Sequence, residues 1–131
     1  MNILVGYDGS PESKKALKLA QQHAEVMAAK IVAVYAIVRF DSTMYHEVKK
    51  AERMLQYEVR EMLVTGRIPY ETRLLSGIQD RGDQIADFAA THNIAEIIIG
   101  APKRSGIRAA VLGSTARQLI LNAPCPVVTT N

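Results

Sequence analysis

The 131-residue sequence has no tryptophan, two phenylalanines and a single cysteine, Cys125. One cysteine cannot close an internal disulfide and falls far short of a zinc cluster, so a reducing, cytoplasmic setting is expected. Two Phe and no Trp leave little aromatic surface for stacking the bases of single strands, which argues against a nucleic-acid partner. Long apolar runs are missing too. None approaches the ~20 residues of a membrane span. The opening MNILVGYDGSP has no basic segment ahead of a long apolar stretch, so neither a membrane partner nor a secretory leader is expected. The charge balance is modest. Sixteen Lys and Arg against 13 Asp and Glu give a net charge of +3, well below the dense basic footprint of a nucleic-acid binder.

What is present fits one domain over residues 1–131. Hydrophobic residues are 48% and charged residues 22%, ordinary values for a folded globular chain. A chain of this length buries roughly two-thirds of its unfolded surface, enough for a core without staples. No linker, repeat or low-complexity stretch divides it.

Apolar runs and helical faces alternate along the chain. Asn2–Tyr7 (NILVGY) and Ile31–Val38 (IVAVYAIV) are continuous apolar runs, the mark of strands buried on both faces. Ser10-Pro11 is a helix start, with Ser as cap and Pro at the first helical position. Ala16, Leu17, Ala20, Ala24 and Met27 then recur at helical spacing to about Ala29. After the polar junction Arg39–Thr43, the residues Met44, Val48, Ala51, Leu55, Val59 and Met62 mark one face of a longer helix, with Gly66 as its expected C-terminal cap. Pro69–Leu75 reads as a third strand, Asp80–His92 as a helix stopped by a left-handed Asn93, and Glu96–Gly100 as a fourth strand. Ala101–Leu112 reads as a loop, Ser114–Asn122 as a short helix and Pro126–Thr129 as a last strand. Strict β-α alternation predicts an α/β fold, an open parallel five-stranded sheet with helices on both faces.

In such a sheet ligands sit beyond the carboxyl ends of the strands, where the winding direction reverses. Two of the segments there carry chemistry. Asp8-Gly9-Ser10 puts a carboxylate at a strand end beside a glycine and a helix start. It reads either as a self-bonded turn or as a contact to a ribose or base. The segment from Gly100 to Arg117 contains Lys103, Arg104, Arg108 and Arg117 and no acidic residue. Gly113 and Ser114 put free N–H groups and a hydroxyl at the positive end of the following helix, which suits a phosphate. The alternative is a solvated basic loop.

Other signatures fail. There is no GxGxxG, and Gly77 to Gly82 imitates the glycine spacing of a phosphate-binding loop but continues into Asp83 where a Lys belongs. His23, His46 and His92 have no ligand-spaced partner and read as helix residues. Cys125, between two prolines, reads as a packed turn residue, since no base is identifiable for it. No general acid–base pair can be assembled, so catalytic residues and a metal site are not expected.

Ile3-Leu4-Val5-Gly6-Tyr7-Asp8-Gly9-Ser10, the stretch from Gly100 to Ser114, and Asn122-Ala123-Pro124-Cys125-Pro126-Val127-Val128 together resemble the universal stress protein family over the whole chain. The resemblance implies a Rossmann-like sheet of order 3-2-1-4-5. Many members bind ATP through Gly, two residues, Gly, nine residues, Gly and Ser or Thr. Gly100, Gly113 and Ser114 match this pattern, and Lys103 stands where it has its second glycine. The resemblance places Asp8, with Gly9 and Ser10, at the adenosine end and Ala36 against the base. It places Gly100, Ala101, Lys103, Arg104, Gly113, Ser114 and Thr115 at the phosphates. It implies ATP as ligand, with or without Mg²⁺, a stress-response role with at most slow ATP hydrolysis, and a homodimer through Pro126–Thr129. The alternative is a family member that takes no nucleotide and works as a dimeric interaction module, a reading that Lys103 favours.

Overall fold

The computed structural model describes residues 1–101 and 113–131. Strand β1 (Asn2–Gly6) leads into α1 (Pro11–Met27), then β2 (Lys30–Val38), a 3-10 turn (Ser42–Met44) and α2 (Tyr45–Leu63). Strand β3 (Tyr70–Gly77), α3 (Arg81–Thr91), β4 (Ile94–Gly100), α4 (Ser114–Asn122) and β5 (Val127–Thr130) follow. The sheet has the order β3-β2-β1-β4-β5, and every neighbouring pair is parallel. The parallel sheet is the one expected from the alternation, and its strand order is the one the family resemblance implies. Among the described residues no helix is long and apolar enough to cross a membrane.

The two faces follow from the period of a strand, in which successive side chains point opposite ways. Ile3, Val5 and Tyr7 of the β1 region face Ala16, Leu17 and Ala20 of α1 and Leu55, Val59 and Leu63 of α2. Leu4, with Val32, Val34, Ile97 and Ile99, faces Ile85, Phe88 and Ala89 of α3 and Ala116 and Leu119 of α4. Each fully buried Leu or Ile contributes about 1.5–3 kcal/mol over exposure. The half-exposed Lys30–Glu71 pair, 3.1 Å apart, contributes about 0–1 kcal/mol. The apolar layers therefore hold the fold.

The ends of the helices show where local chemistry decides and where it does not. Ser10 caps α1 as expected: its hydroxyl accepts from the Ser13 N–H at 3.2 Å, and Pro11 opens the helix. The helix stops two residues before the expected Ala29. Ala28 takes a left-handed conformation (φ 52°), and the Ala29 N–H returns to the Ala24 carbonyl. Asn93 is left-handed as expected, at φ 54°. Gly66 is not a left-handed cap. Helix α2 ends at Leu63, and the Gly66 N–H reaches the Leu63 carbonyl at 3.2 Å without a positive φ.

Candidate functional site

The chain winds outward from the middle of the sheet in both directions, so the connections that follow the paired strands β1 and β4 part and leave a crevice between them. A cleft of about 320 Å³ lies there, inside the range of small-molecule sites, ≈ 300–1,000 Å³. Its apolar walls are Val34 and Ala36 of β2, Ile85 of α3, Ile99 of β4 and Ala116 of α4. Its polar rim carries Asp8, Ser10, Arg81, Ser114 and Thr115. One apolar side and one polar side suit a flat ligand with a polar or charged tail.

The Asp8 side is built by the turn between β1 and α1. The Asp8 Oδ1 accepts the Ser10 N–H at 2.9 Å, which closes the turn over Gly9. Gly9 has φ 85°, a conformation that residues with a Cβ rarely adopt. Burial pushes the Asp8 carboxyl up, but hydrogen bonds from Ser10 and Ser13 outweigh it and hold the group below the usual carboxylate range. Asp8 is therefore an anion that accepts hydrogen bonds at neutral pH. Beneath the turn, the buried Tyr7 hydroxyl donates to Glu58 of α2 at 2.7 Å. Burial first, and the Glu58 carboxylate second, hold that phenol well above its ordinary pKa.

The opposite side is the start of α4. Gly113 is its N-cap, extended at φ −65°, with no side-chain cap bond. Among the described residues, a Cβ on Gly113 would meet nothing within 4 Å. The first turn of α4 contains no acidic residue, which leaves the positive end of the helix uncompensated.

Of the residues expected at the site, Asp8, Ser10, Ala36, Gly100, Gly113, Ser114 and Thr115 all line this one cleft. Gly9 shapes the turn without being a wall. Ala101 is not a wall either: its N–H is taken by the Thr130 carbonyl at 2.6 Å, extending the β4–β5 ladder. Lys103 and Arg104 lie outside the described residues.

Among the polar wall residues, Glu12, Ser13 and Arg81 are not singled out in the sequence, and Ile85 reads there only as an inward helix residue. Arg81 directly follows the segment after β3, and that place at a strand's carboxyl end is the signal that could have found it. His23 bonds Glu96 at 2.5 Å, and the His92 ring stacks on Phe88 at 3.7 Å. Neither lines the cleft. Cys125 packs beside the α3–α4 core, and burial, then Glu96, push its thiol up. A raised thiol pKa makes a poor nucleophile. Among the described residues no three His, Cys, Asp or Glu side chains converge as metal ligands.

A parallel doubly wound α/β domain with its cleft at the topological switch point is the class that fold and site define. The sequence profile of the universal stress protein family matches residues 1–131, and the chain belongs to that family. The "Universal stress protein in QAH/OAS sulfhydrylase 3'region" of Thermus aquaticus is 28% identical over 136 residues, covering 96% of this chain and 95% of that one. A solved universal stress protein from Archaeoglobus fulgidus superposes with a TM-score of 0.85 at 25% identity, over 100% of this chain and 93% of that one. A universal stress protein from the same organism, solved in complex with dAMP, gives 0.77 at 26% identity, over 100% of this chain and 98% of that one.

Proposed function

We propose that the switch-point cleft binds an adenine nucleotide, ATP with or without Mg²⁺, and that the chain acts in the cytoplasm as a stress-response regulator and not as a fast catalyst. The observation that carries this reading is the pairing of an apolar slot, with Ala36 at its wall, and the start of α4, whose first turn holds no acid, in one cleft. The slot takes the base. Asp8 and Ser10 accept and donate at the ribose. Gly100, Gly113, Ser114 and Thr115 hold the phosphates, with Ala101, Lys103 and Arg104 in the segment that follows β4. The dAMP held by the A. fulgidus relative supports the same ligand class.

The test is a calorimetric titration with ATP and Mg²⁺, after release of any carried-over nucleotide. Saturable binding that Gly113→Val abolishes is the expected result, because its side chain would enter the cleft that Gly113 lines. Absence of binding by ATP, ADP and AMP would overturn the reading in favour of the dimeric interaction module.

Homodimer formation is the second part of the proposal. Strand β5 is a sheet edge. The carbonyls of Pro126 and Thr130 face β4, accepting from Ile97 and Ala101. By alternation the Val127 and Thr129 backbone groups face away from β4, toward the side on which a second copy would pair. Thr129→Pro removes one outward N–H while sparing the β4 ladder. The expected result is a monomer by light scattering; an unchanged dimer would move the interface elsewhere.

A further inference from the structure

Helix α3 opens on a cation, Arg81, set between Asp80 at the N-cap and Asp83 in the first turn. A cation at a helix N-terminus faces the positive end of the macrodipole, where acids are favoured. Arg81 is the first residue of α3, and it lines the cleft. No carboxylate lies within 4.0 Å of its guanidinium among the described residues. The segment 102–112 contains no Asp or Glu that could pair with it.

The start of α3 is also held firmly against its neighbours. The buried Gln84 donates to the Ile37 carbonyl at 3.0 Å and to the Gln79 carbonyl at 2.9 Å, tying the helix to the end of β2. Asp80 accepts from Gln118 of α4 at 3.1 Å. Gly82 lets the two helices touch: a Cβ there would lie 2.6 Å from the Gln118 Cβ and 3.1 Å from the Thr115 carbonyl oxygen. Arg81 is thus clamped beside the first turn of α4, one turn before Ile85 on the wall of the apolar slot.

We infer that Arg81 pairs with a phosphate of the bound nucleotide and makes the cleft select nucleotides over the bare nucleoside. This rests on the nucleotide reading above and extends it to a residue outside the glycine pattern. A planar guanidinium matches phosphate oxygens with two parallel donors, so lysine is an incomplete substitute.

The experiment titrates wild type, Arg81→Ala and Arg81→Lys with ATP, AMP and adenosine. Arg81→Ala is expected to weaken ATP and AMP at least about tenfold, the scale of one charge-assisted hydrogen bond. Adenosine should change less than about twofold, and Arg81→Lys should fall between. Loss of the wild-type preference for AMP over adenosine is the signature. Arg81 is exposed, so the variants should fold, and equal melting temperatures check this. If wild type binds none of the three, the nucleotide reading and this inference both fall. If wild type binds ATP and Arg81→Ala binds it equally well, or loses ATP and adenosine in equal measure, only the role of Arg81 is overturned.

Discussion

Gly100 sits so tightly on Glu12 that a Cβ at residue 100 would lie 2.7 Å from the Glu12 carbonyl carbon and 2.7 Å from its Cβ. The Thr130 hydroxyl donates to the Glu12 carbonyl at 3.1 Å, so β4, β5 and the first turn of α1 meet at one point. The first glycine of the loop pattern is therefore required by packing before any ligand arrives. Gly113, the last glycine of the pattern, has no such neighbour among the described residues. The two glycines share a motif and differ in physical cause.

This difference can be measured. Gly100→Ala should destabilise the fold by about 1–3 kcal/mol, the usual cost of forcing an extra methyl into close packing. Gly113→Ala should cost less, about 0.5–1 kcal/mol, the penalty of Ala at an N-cap with no described neighbour crowded. Urea midpoints of the two variants check this. Equal midpoints would mean that α1 shifts away from β4 at no cost.

Gly9 should resist substitution for another reason. A methyl added there would meet the Met54 sulfur at 3.6 Å, an ordinary contact, so the strain lies in the backbone at φ 85°. Gly9→Ala should cost of order 1–3 kcal/mol in chemical denaturation. Gly9→Asn should cost less, since Asn tolerates left-handed conformations.

Tyr7 and Glu58 give an ordered pair of variants. Tyr7→Phe removes the donor together with its need for a partner, and should cost about 1 kcal/mol. Glu58→Ala strands a hydroxyl on a side chain that is 1% exposed and should cost more, about 1–3 kcal/mol. Melting temperatures in the reverse order would show that another group or a water satisfies the Tyr7 hydroxyl.

Asp8 should contribute to the acid limb of stability. Its folded pKa lies below the ordinary carboxylate value, so the folded state prefers the ionised form. The stabilisation is complete above the ordinary carboxylate range and is lost as pH falls through the folded value. Wild type should therefore exceed Asp8→Asn in melting temperature at about pH 6, and the gap should close toward about pH 3. A constant gap would assign the difference to the turn hydrogen bond alone.

Much of the architecture was legible along the chain. Two-sided strands show as unbroken runs such as Ile31–Val38, and Ser10-Pro11 and Asn93 mark helix boundaries by short-range chemistry. The cleft was legible in part, because topology dictates which strand ends meet: Asp8, Gly100 and Gly113 do meet, with Ala36, which only the family resemblance had pointed to. Gly82 was not. In sequence it forms part of a failed phosphate-loop spacing; in space it is the contact glycine between α3 and α4. Ala28 was not either, since alanine favours helix and only the turn into β2 makes it left-handed.

Periodicity and caps are properties of residues within about four positions of each other, so the sequence by itself determined the elements, their order and the edge at which a ligand would sit. Contacts between distant segments were decided only by tertiary packing. Tyr7 meets Glu58 across 51 positions, Asp80 meets Gln118 across 38, and Thr130 meets Glu12 across 118. Those meetings depend on how helices lie on a twisted sheet, which local propensity does not encode. They place Arg81 beside the start of α4 and make Gly100 a packing residue.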